Sequence, residues 1–249
     1  MQNIKNTVVI DIETVSGYSN FSKVPERLQS LWEKKAKNLK NEKGLDAGQL
    51  YEGRAAIYAE FGKVIVIGVG VFSGKEKEPS LTVRSFSGHD EKQLLQDFID
   101  FLVNEFNQGS LRLCGHNGKE FDFPYLCRRL LVNGLPLPYV LDTRGKKPWE
   151  VNHIDTMELW KFGDWKSFTS LELLTEIFGI PTSKDNMDGS MVNEVYYQQG
   201  GLEKIRQYCE KDVVATAQLY LKMNAKSTIP DDRISIVDQP ILWHERKEK

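Results

Sequence analysis

Three stretches set far apart in the chain carry carboxylates in apolar company: VVIDIET with Asp11 and Glu13, HNGKEFDFPYL with Asp122, and QYCEKDVVATAQLYL with Tyr208 and Asp212. A carboxylate costs free energy to bury unless a counter-charge meets it, so acids beside apolar runs demand a partner. Asp11 and Glu13 are two apart on a β-branched run, which turns both side chains to one face of a strand. Two carboxylates held side by side suit a hard, oxygen-seeking ion such as Mg²⁺ or Mn²⁺. Tyr208 and Asp212 are four apart in a helical stretch and share one helix face. Four acids converging on one place would hold divalent cations, the arrangement that metal-dependent phosphoryl transfer uses.

Each segment also has a plain structural reading. Asp11 and Glu13 fit a strand end turning out into solvent. Asp122, just before Phe123 and Pro124, fits the N-cap of a helix carrying Tyr125, Leu126 and Leu130, and an N-cap acid can still face a metal. A Tyr four residues before an Asp is common by chance. Asn117 offers a short amide for a hydrogen bond, and Phe121 a ring able to pack against a base or sugar. Lys119 either touches phosphate or is simply solvated. Asp155 in HIDTMEL either edges the site or is a structural acid at a strand end, and His116 is either a ligand or a satisfied polar residue, the structural reading being the commoner for each. Asp188, Gly189 and Ser190 read as a turn and N-cap. Trp160 and Trp165 either stack bases or pack into the core.

The elements that must position these residues follow from periodicity. Thr7–Ile12 reads as a buried strand, Val64–Phe72 as a second and Leu81–Phe86 as a third, the last two joined as a hairpin through SGKEKEP. Asp90 caps a helix in which Leu94, Leu95, Phe98, Phe101 and Leu102 repeat at helical spacing. A short strand, Leu111–Cys114, leads into the Asp122 segment, and a helix over Phe123–Val132 stops at Asn133-Gly134. His153–Leu159 reads as a strand. Thr169 and Glu172 make a capping box for SLELLTEIFG, ended by Gly179 and Pro181. A helix over MVNEVYYQQ and a long one over about Leu202–Met223 follow. The stretch 14–60, crowded with Lys and Glu in LWEKKAKNLKNEKG, reads as a helical insertion, and 226–249 as an irregular tail. Strands alternate with helices and no Pro/Gly/Ser-rich linker intervenes, so residues 1–249 read as a single domain.

With 249 residues, 40% hydrophobic and 27% charged, the chain has the composition of an ordinary globular protein with material for a sizeable core. No stretch approaches a membrane span and no signal peptide precedes the first strand, which excludes a membrane partner. Cys114, Cys127 and Cys209 have no metal-ligand spacing and are odd in number, so reduced buried thiols and a cytoplasmic setting are expected. A formal net charge of −2 lacks the basic footprint of a tight duplex binder. It is compatible with a substrate held through metal ions, which bring their own positive charge.

The order of the motifs adds more than any one of them. Asp-x-Glu on the first strand, Asn-x-x-x-Phe-Asp in the middle and Tyr-x-x-x-Asp on a late helix resemble the three exonuclease motifs of the DEDD superfamily. Tyr208, with Gln207 where the histidine subclass would have its His, matches the tyrosine subclass. The wording VVIDIETV, HNGKEFDFPYLCRRL, MDGSMV and IRQYCEKDVVAT is most similar to the predicted 3′–5′ exonucleases related to the proofreading domain of family-B DNA polymerases, over about Thr7 to Leu221.

The resemblance implies an α/β, ribonuclease H-like fold with a central mixed β-sheet flanked by α-helices. It implies two divalent metal ions (Mg²⁺ or Mn²⁺). Asp11, Glu13 and Asp212 would hold one, and Asp11 would bridge to a second reached by Asp122. Tyr208 would orient the attacking water. Thr14, Asn117 and Phe121 would line the site for the 3′-terminal nucleotide of single-stranded DNA, or of RNA in an RNase D-like alternative. Two further alternatives are a nucleic-acid-binding module without cleavage and a proofreading subunit serving a DNA polymerase in trans. The four intact acids argue against the first of these.

Overall fold

Thr7–Ser16 forms strand β1, and the other strands assemble on either side of it. The computed structural model describes residues 4–75, 77–164, 168–181, 187 and 189–237. On one side of β1 lies the hairpin of β2 (Gly62–Lys75) and β3 (Glu78–Ser87), antiparallel to β1 and to each other. On the other side lie β4 (Arg112–Gly115) and β5 (Ile154–Asp155), both parallel. A last strand, β6 (Ile234–Val237), adds parallel to β3, so the six-stranded order is β5-β4-β1-β2-β3-β6. This is a mixed sheet flanked by helices.

Alternation along β1 sends its side chains to two different layers. Val8, Ile10 and Ile12 pack with Leu94 and Phe98 of helix α3 (Glu91–Glu105) and Leu126 and Leu130 of helix α4 (Asp122–Val132). Val9 faces the other way, into a cluster with Val213, Ala217 and Leu221 of the long helix α8 (Leu202–Met223). That helix buries Ile205, Cys209, Val213 and Ala217, a ridge with one residue per turn. It approaches β2 where the strand has no side chains. A Cβ on Gly68 would stand 2.8 Å from Val213 Cγ2 and 2.9 Å from Cys209 Sγ, and one on Gly70 would stand 2.8 Å from Val213 Cγ1.

A buried polar network ties the α3–α4 layer to the sheet. Glu91 Oε1 accepts from the Val64 backbone N–H (2.7 Å) and from Arg129 Nε (2.8 Å). Its Oε2 accepts from Arg129 Nη2 (2.6 Å) and Asn133 Nδ2 (3.0 Å), and Arg129 Nη1 reaches the Ala59 carbonyl at 2.7 Å.

Between β1 and β2 the chain folds into helix α1 (Glu26–Ala36), helix α2 (Ala47–Arg54) and a 3-10 turn at Ala55–Ile57. Trp32, Leu50, Tyr51 and Ala55 give this segment a small core of its own. Asp46 caps α2 in a reciprocal capping box with Gln49. The Ala56 carbonyl anchors the segment to the rest, accepting from Thr14 Oγ1 at 3.0 Å and from the Tyr125 hydroxyl at 2.8 Å.

The structure departs from the expected elements in five places. β1 does not stop at Ile12: it stays paired with β2 as far as Ser16, through a register shift between Glu13 and Thr14. Its acids are therefore mid-strand. The strand expected at His153–Leu159 is only Ile154–Asp155, because the Asp155 carboxylate accepts from the Met157 and Glu158 N–H groups and starts helix α5 (Thr156–Lys161). Helix α6 (Leu171–Ile177) is capped by Ser170, not by a Thr169 box. Helix α7 (Val192–Gln199) starts after Met191 with no side-chain cap, and Asp188 lies outside the described residues. The tail expected to be irregular contains β6, while 238–249 lie outside the described residues. Among the described residues, no helix is long and apolar enough to cross a membrane.

Candidate active site

β1 pairs with β4 only over Thr7–Val9, so its continuation carrying Asp11 and Glu13 has no strand neighbour on that side. The first turn of α4 enters the gap. The Ile12 backbone N–H, which a longer β4 would have engaged, donates to Asp122 Oδ1 at 3.0 Å. Asp122 is thus the first residue of α4, not its N-cap, and its side chain binds strand to helix. On the other face of β1, Cys209 Sγ lies 3.4 Å from Asp11 Oδ2 and 3.5 Å from the Asp11 carbonyl, where the close approach of α8 brings it. One turn farther along that helix comes Asp212, and the Tyr208 hydroxyl donates a hydrogen bond to the Asp212 carboxylate.

All four acids are removed from water to a degree that ordinary carboxylates are not, with Glu13 and Asp122 buried outright. Burial first, then the charges of Asp122, Asp212 and Glu13, hold the Asp11 carboxyl well above the usual range. Glu13 is raised by burial and then by Asp212 and Asp122. Asp122 is pushed up to about 7, mainly by burial and against the Ile12 hydrogen bond. Asp212 is pushed up to about 6 by burial, with the Tyr208 hydroxyl pulling the other way. Burial and the neighbouring carboxylates lift the Tyr208 phenol, which is fully protonated at neutral pH.

The charged groups acting on Asp11 and Glu13 are other carboxylates, with no Lys or Arg among them. Four such acids crowded together repel one another, and a divalent cation is the partner that relieves it. Asp11, Glu13 and Cys209 each turn one ligand atom to a common point, all within 4.8 Å of one another. Carboxylate oxygens from Asp11 and Glu13 suit a hard cation, so the donor set fits Mg²⁺ or Mn²⁺ better than a thiolate-seeking metal. Burial and the neighbouring Asp11 push the Cys209 thiol up, and a hard cation prefers the two carboxylates to it.

The three non-acidic residues singled out from the sequence lie around this cluster with distinct attachments. Asn117 adopts a left-handed backbone conformation (φ 63°), its N–H donates to Asp155 Oδ1 at 2.9 Å, and its buried Oδ1 is without a hydrogen-bond partner. Phe121 is half-buried, its ring tilted against Tyr125 at 5.4 Å between centroids. The Thr14 hydroxyl is spent on the Ala56 carbonyl, so it fixes the α2 segment beside the acids.

Other candidates resolve as structural. His116 is satisfied on both nitrogens, by Thr156 Oγ1 at 2.8 Å and the Thr169 carbonyl at 2.9 Å. Lys119 pairs with Glu158 at 2.7 Å. Trp160 packs edge-on to Phe178 at 5.8 Å in a satellite core with Leu174 and Leu219. Trp165 lies outside the described residues. Two contributors take their roles only in the structure, Asp155, which the sequence placed at the edge of the site, and Cys209, which it did not single out for the site. Asp155 holds the 117–119 turn through the N–H groups of Asn117 and Lys119, and the Asn117-Gly118 dipeptide was the turn signal that marks it. Cys209 carries no such signal, because its contact with Asp11 spans 198 residues.

A family model described as "Predicted 3′-5′ exonuclease related to the exonuclease domain of PolB" matches residues 57–233, well over half of the chain. Asp122, Tyr208 and Asp212 fall inside that match, and Asp11 and Glu13 precede it. The fold is also that of part of the family B DNA polymerase from the hyperthermophilic archaeon Pyrobaculum calidifontis, with a TM-score of 0.55 at 18% sequence identity. That match covers 88% of this chain and 24% of the polymerase, so the chain spans about a quarter of the polymerase's length. No curated protein sequence matches the chain.

Proposed function

The chain belongs to the family of predicted 3′–5′ exonucleases related to the exonuclease domain of PolB, and from that premise we propose that it trims single-stranded nucleic acid from the 3′ end. By this reading each cycle releases a nucleoside 5′-monophosphate, and DNA is the favoured substrate because the kinship is to a DNA polymerase domain. What supports the proposal is that Asp11 and Glu13 offer ligand atoms within 4.8 Å of each other, that the charges of Asp122 and Asp212 act on both, and that all four carboxyls are raised above the ordinary range.

Asp11, Glu13 and Asp212 would hold one divalent cation, and Asp11 with Asp122 a second. When bound, such ions supply the positive charge that favours ionisation of the attacking water and offsets charge on the leaving oxygen. The chain's own residues do the rest. Tyr208 keeps its proton and, with Asp212 accepting from it, offers a fixed hydroxyl against which the water is oriented. The water oxygen bonds to the terminal phosphorus, the P–O3′ bond breaks, and the departing 3′ oxygen takes up a proton. Phe121 packs against the terminal base or sugar. The unpartnered Asn117 Oδ1 accepts a hydrogen bond from the nucleotide, and Thr14 braces the wall opposite.

The direct test is degradation of a 5′-labelled single strand with Mg²⁺ or Mn²⁺, comparing the protein with Asp11→Ala and Asp212→Ala. Activity that survives in either variant refutes the assignment. Matched DNA and RNA strands decide the substrate. The same kinship supports a polymerase as a partner in trans, which co-purification checks.

A further inference from the structure

A second concavity of about 700 Å³ opens on a different face of α4 from Asp122, between that helix and the segment 137–151 that crosses it. Its volume falls within the ~300–1,000 Å³ of small-molecule sites. Phe123, Leu131 and Leu141 make an apolar wall, and Trp149, 75% exposed, stands at the mouth. The Lys147 ammonium lies 5.3 Å from the Trp149 ring centre, and Lys146 lies 5.3 Å from the neighbouring Tyr139 ring, which is also exposed.

Charge on the rim is unevenly satisfied. Asp142 is held by Arg144 at 2.6 Å and Glu158 by Lys119 at 2.7 Å, with Glu120 the remaining acid. Among the described residues no salt bridge engages Arg128 or Lys146, both of which line the cavity. One uncharged donor also borders it. His153 Nδ1 accepts from the Leu113 N–H, so in the neutral ring the proton is on Nε2. That atom is buried with no hydrogen bond closed, the Val140 carbonyl being its loose neighbour.

An apolar wall, an exposed indole and two cations outside any described salt bridge, one of them over the Tyr139 ring, are the complement of an aromatic base joined to a phosphate. The cavity borders the segment that carries Asn117 and Phe121, although none of the four acids lines it. It begins at Lys119 and Glu120, inside the turn that carries Asn117 and Phe121, and follows α4 from Phe123 to Leu131. We propose that this cavity binds nucleotides of the same single strand upstream of its 3′ end, a base stacking on Trp149 and phosphates pairing with Arg128 and Lys146. The assignment rests on the exonuclease reading and adds to it a grip on strand length. A strand too short to pass the 117–121 turn uses the acids alone, whereas a longer one gains the second site.

The test is fluorescence anisotropy of 5′-labelled single strands on the full chain in Ca²⁺, which gives the acids a cation through which to hold a 3′ end, comparing a dinucleotide with a strand of about 12 nucleotides, within the ~4–16 spanned by strand-binding grooves. Trp149→Ala and the pair Arg128→Glu with Lys146→Glu change exposed or rim side chains, and circular dichroism melting verifies that each variant folds. Both are expected to weaken the long strand by about tenfold or more while leaving the dinucleotide unchanged. Equal weakening at both lengths, no weakening, or a free nucleoside monophosphate that occupies the cavity as tightly as the long strand overturns the proposal. The cleavage assay with Mn²⁺ is read separately. Length-dependent binding without any release of mononucleotide counts against the exonuclease reading alone, and cleavage with unaltered length preference in the variants counts against the cavity alone.

Discussion

Asp122 Oδ1 accepts the backbone N–H of Ile12 at 3.0 Å, joining residues 110 apart in the chain at the point where β1 loses its β4 neighbour. One carboxylate therefore has two tasks, to satisfy a buried donor and to present charge to the site. The tasks separate by substitution. Asp122→Asn keeps an acceptor oxygen and should retain stability while losing nuclease activity. Asp122→Ala strands the Ile12 N–H and should cost about 1–3 kcal/mol in addition. Urea unfolding alongside the cleavage assay checks both, and equal stability of the two variants would refute the structural half.

The acids' contribution to metal-free stability should fall as pH rises. The folded carboxyls of Asp122, at about 7, and Asp212, at about 6, lie above the ordinary value of 3.8, and Asp11 and Glu13 are raised as well. Between the unfolded and folded values the native state binds more protons than the unfolded one, so stability is fully present below about pH 4 on this account and is lost up to about pH 7. Thermal melts in EDTA at pH 5 and pH 8 should show Asp11→Asn and Asp212→Asn gaining midpoint over the unaltered protein more at pH 8 than at pH 5, a difference that cancels the buried His116 and His153, whose lowered values act in the opposite sense. Saturating Mn²⁺, which binds the ionised acids, should raise the pH 8 midpoint most. An equal effect of these substitutions at pH 5 and pH 8 would contradict the clustered, raised acids.

Tyr208→Phe removes the proton that Asp212 accepts while leaving the ring in its packing. A hydrogen bond to a charged group contributes about 1.5–3 kcal/mol, so kcat should drop roughly 10- to 150-fold with KM little changed. The Tyr208 hydroxyl also lowers the Asp212 carboxyl, so its loss should move the acid limb of the pH–rate profile to higher pH. A profile that is lower but unshifted would mean that Tyr208 acts without Asp212.

Glu91 contributes stability far from the chemistry. It satisfies the Val64 N–H and a buried arginine at once, locking α4, and hence Asp122, against the sheet. Glu91→Ala leaves the Arg129 guanidinium buried without its counter-charge and should cost about 3–5 kcal/mol. Denaturant titration measures this, and a loss under about 1 kcal/mol would show that solvent reaches Arg129 when Glu91 is gone.

Local signals made the frame of this molecule readable from its residues, and long-range ones did not. The β2–β3 hairpin, α3, α4 and α8 follow from period-2 and period-3.6 patterns that each element carries by itself. β1 was cut short because Glu13 inside a strand looks like an exit to solvent, when it is a buried acid in a pocket of acids. Asp155 looked like a strand residue because nothing in HIDTMEL reveals that its carboxylate caps the following turn. β6 has four residues with a mixed exposure pattern and becomes a strand only because β3 offers it an edge. Among the site residues, the acids were legible from type and order. The contact of Cys209 with Asp11 and the grip of Asp122 on Ile12 exist only in three dimensions.

The bare stretch of β2 at Gly68 and Gly70 makes the centre a product of late assembly. Asp11 and Glu13 emerge early in synthesis and Asp122 midway, but Asp212 arrives only with α8, and α8 seats only on a strand already flattened by those glycines. By the exonuclease reading, the site is therefore complete only once the last long helix has docked, because Asp212 is carried on it.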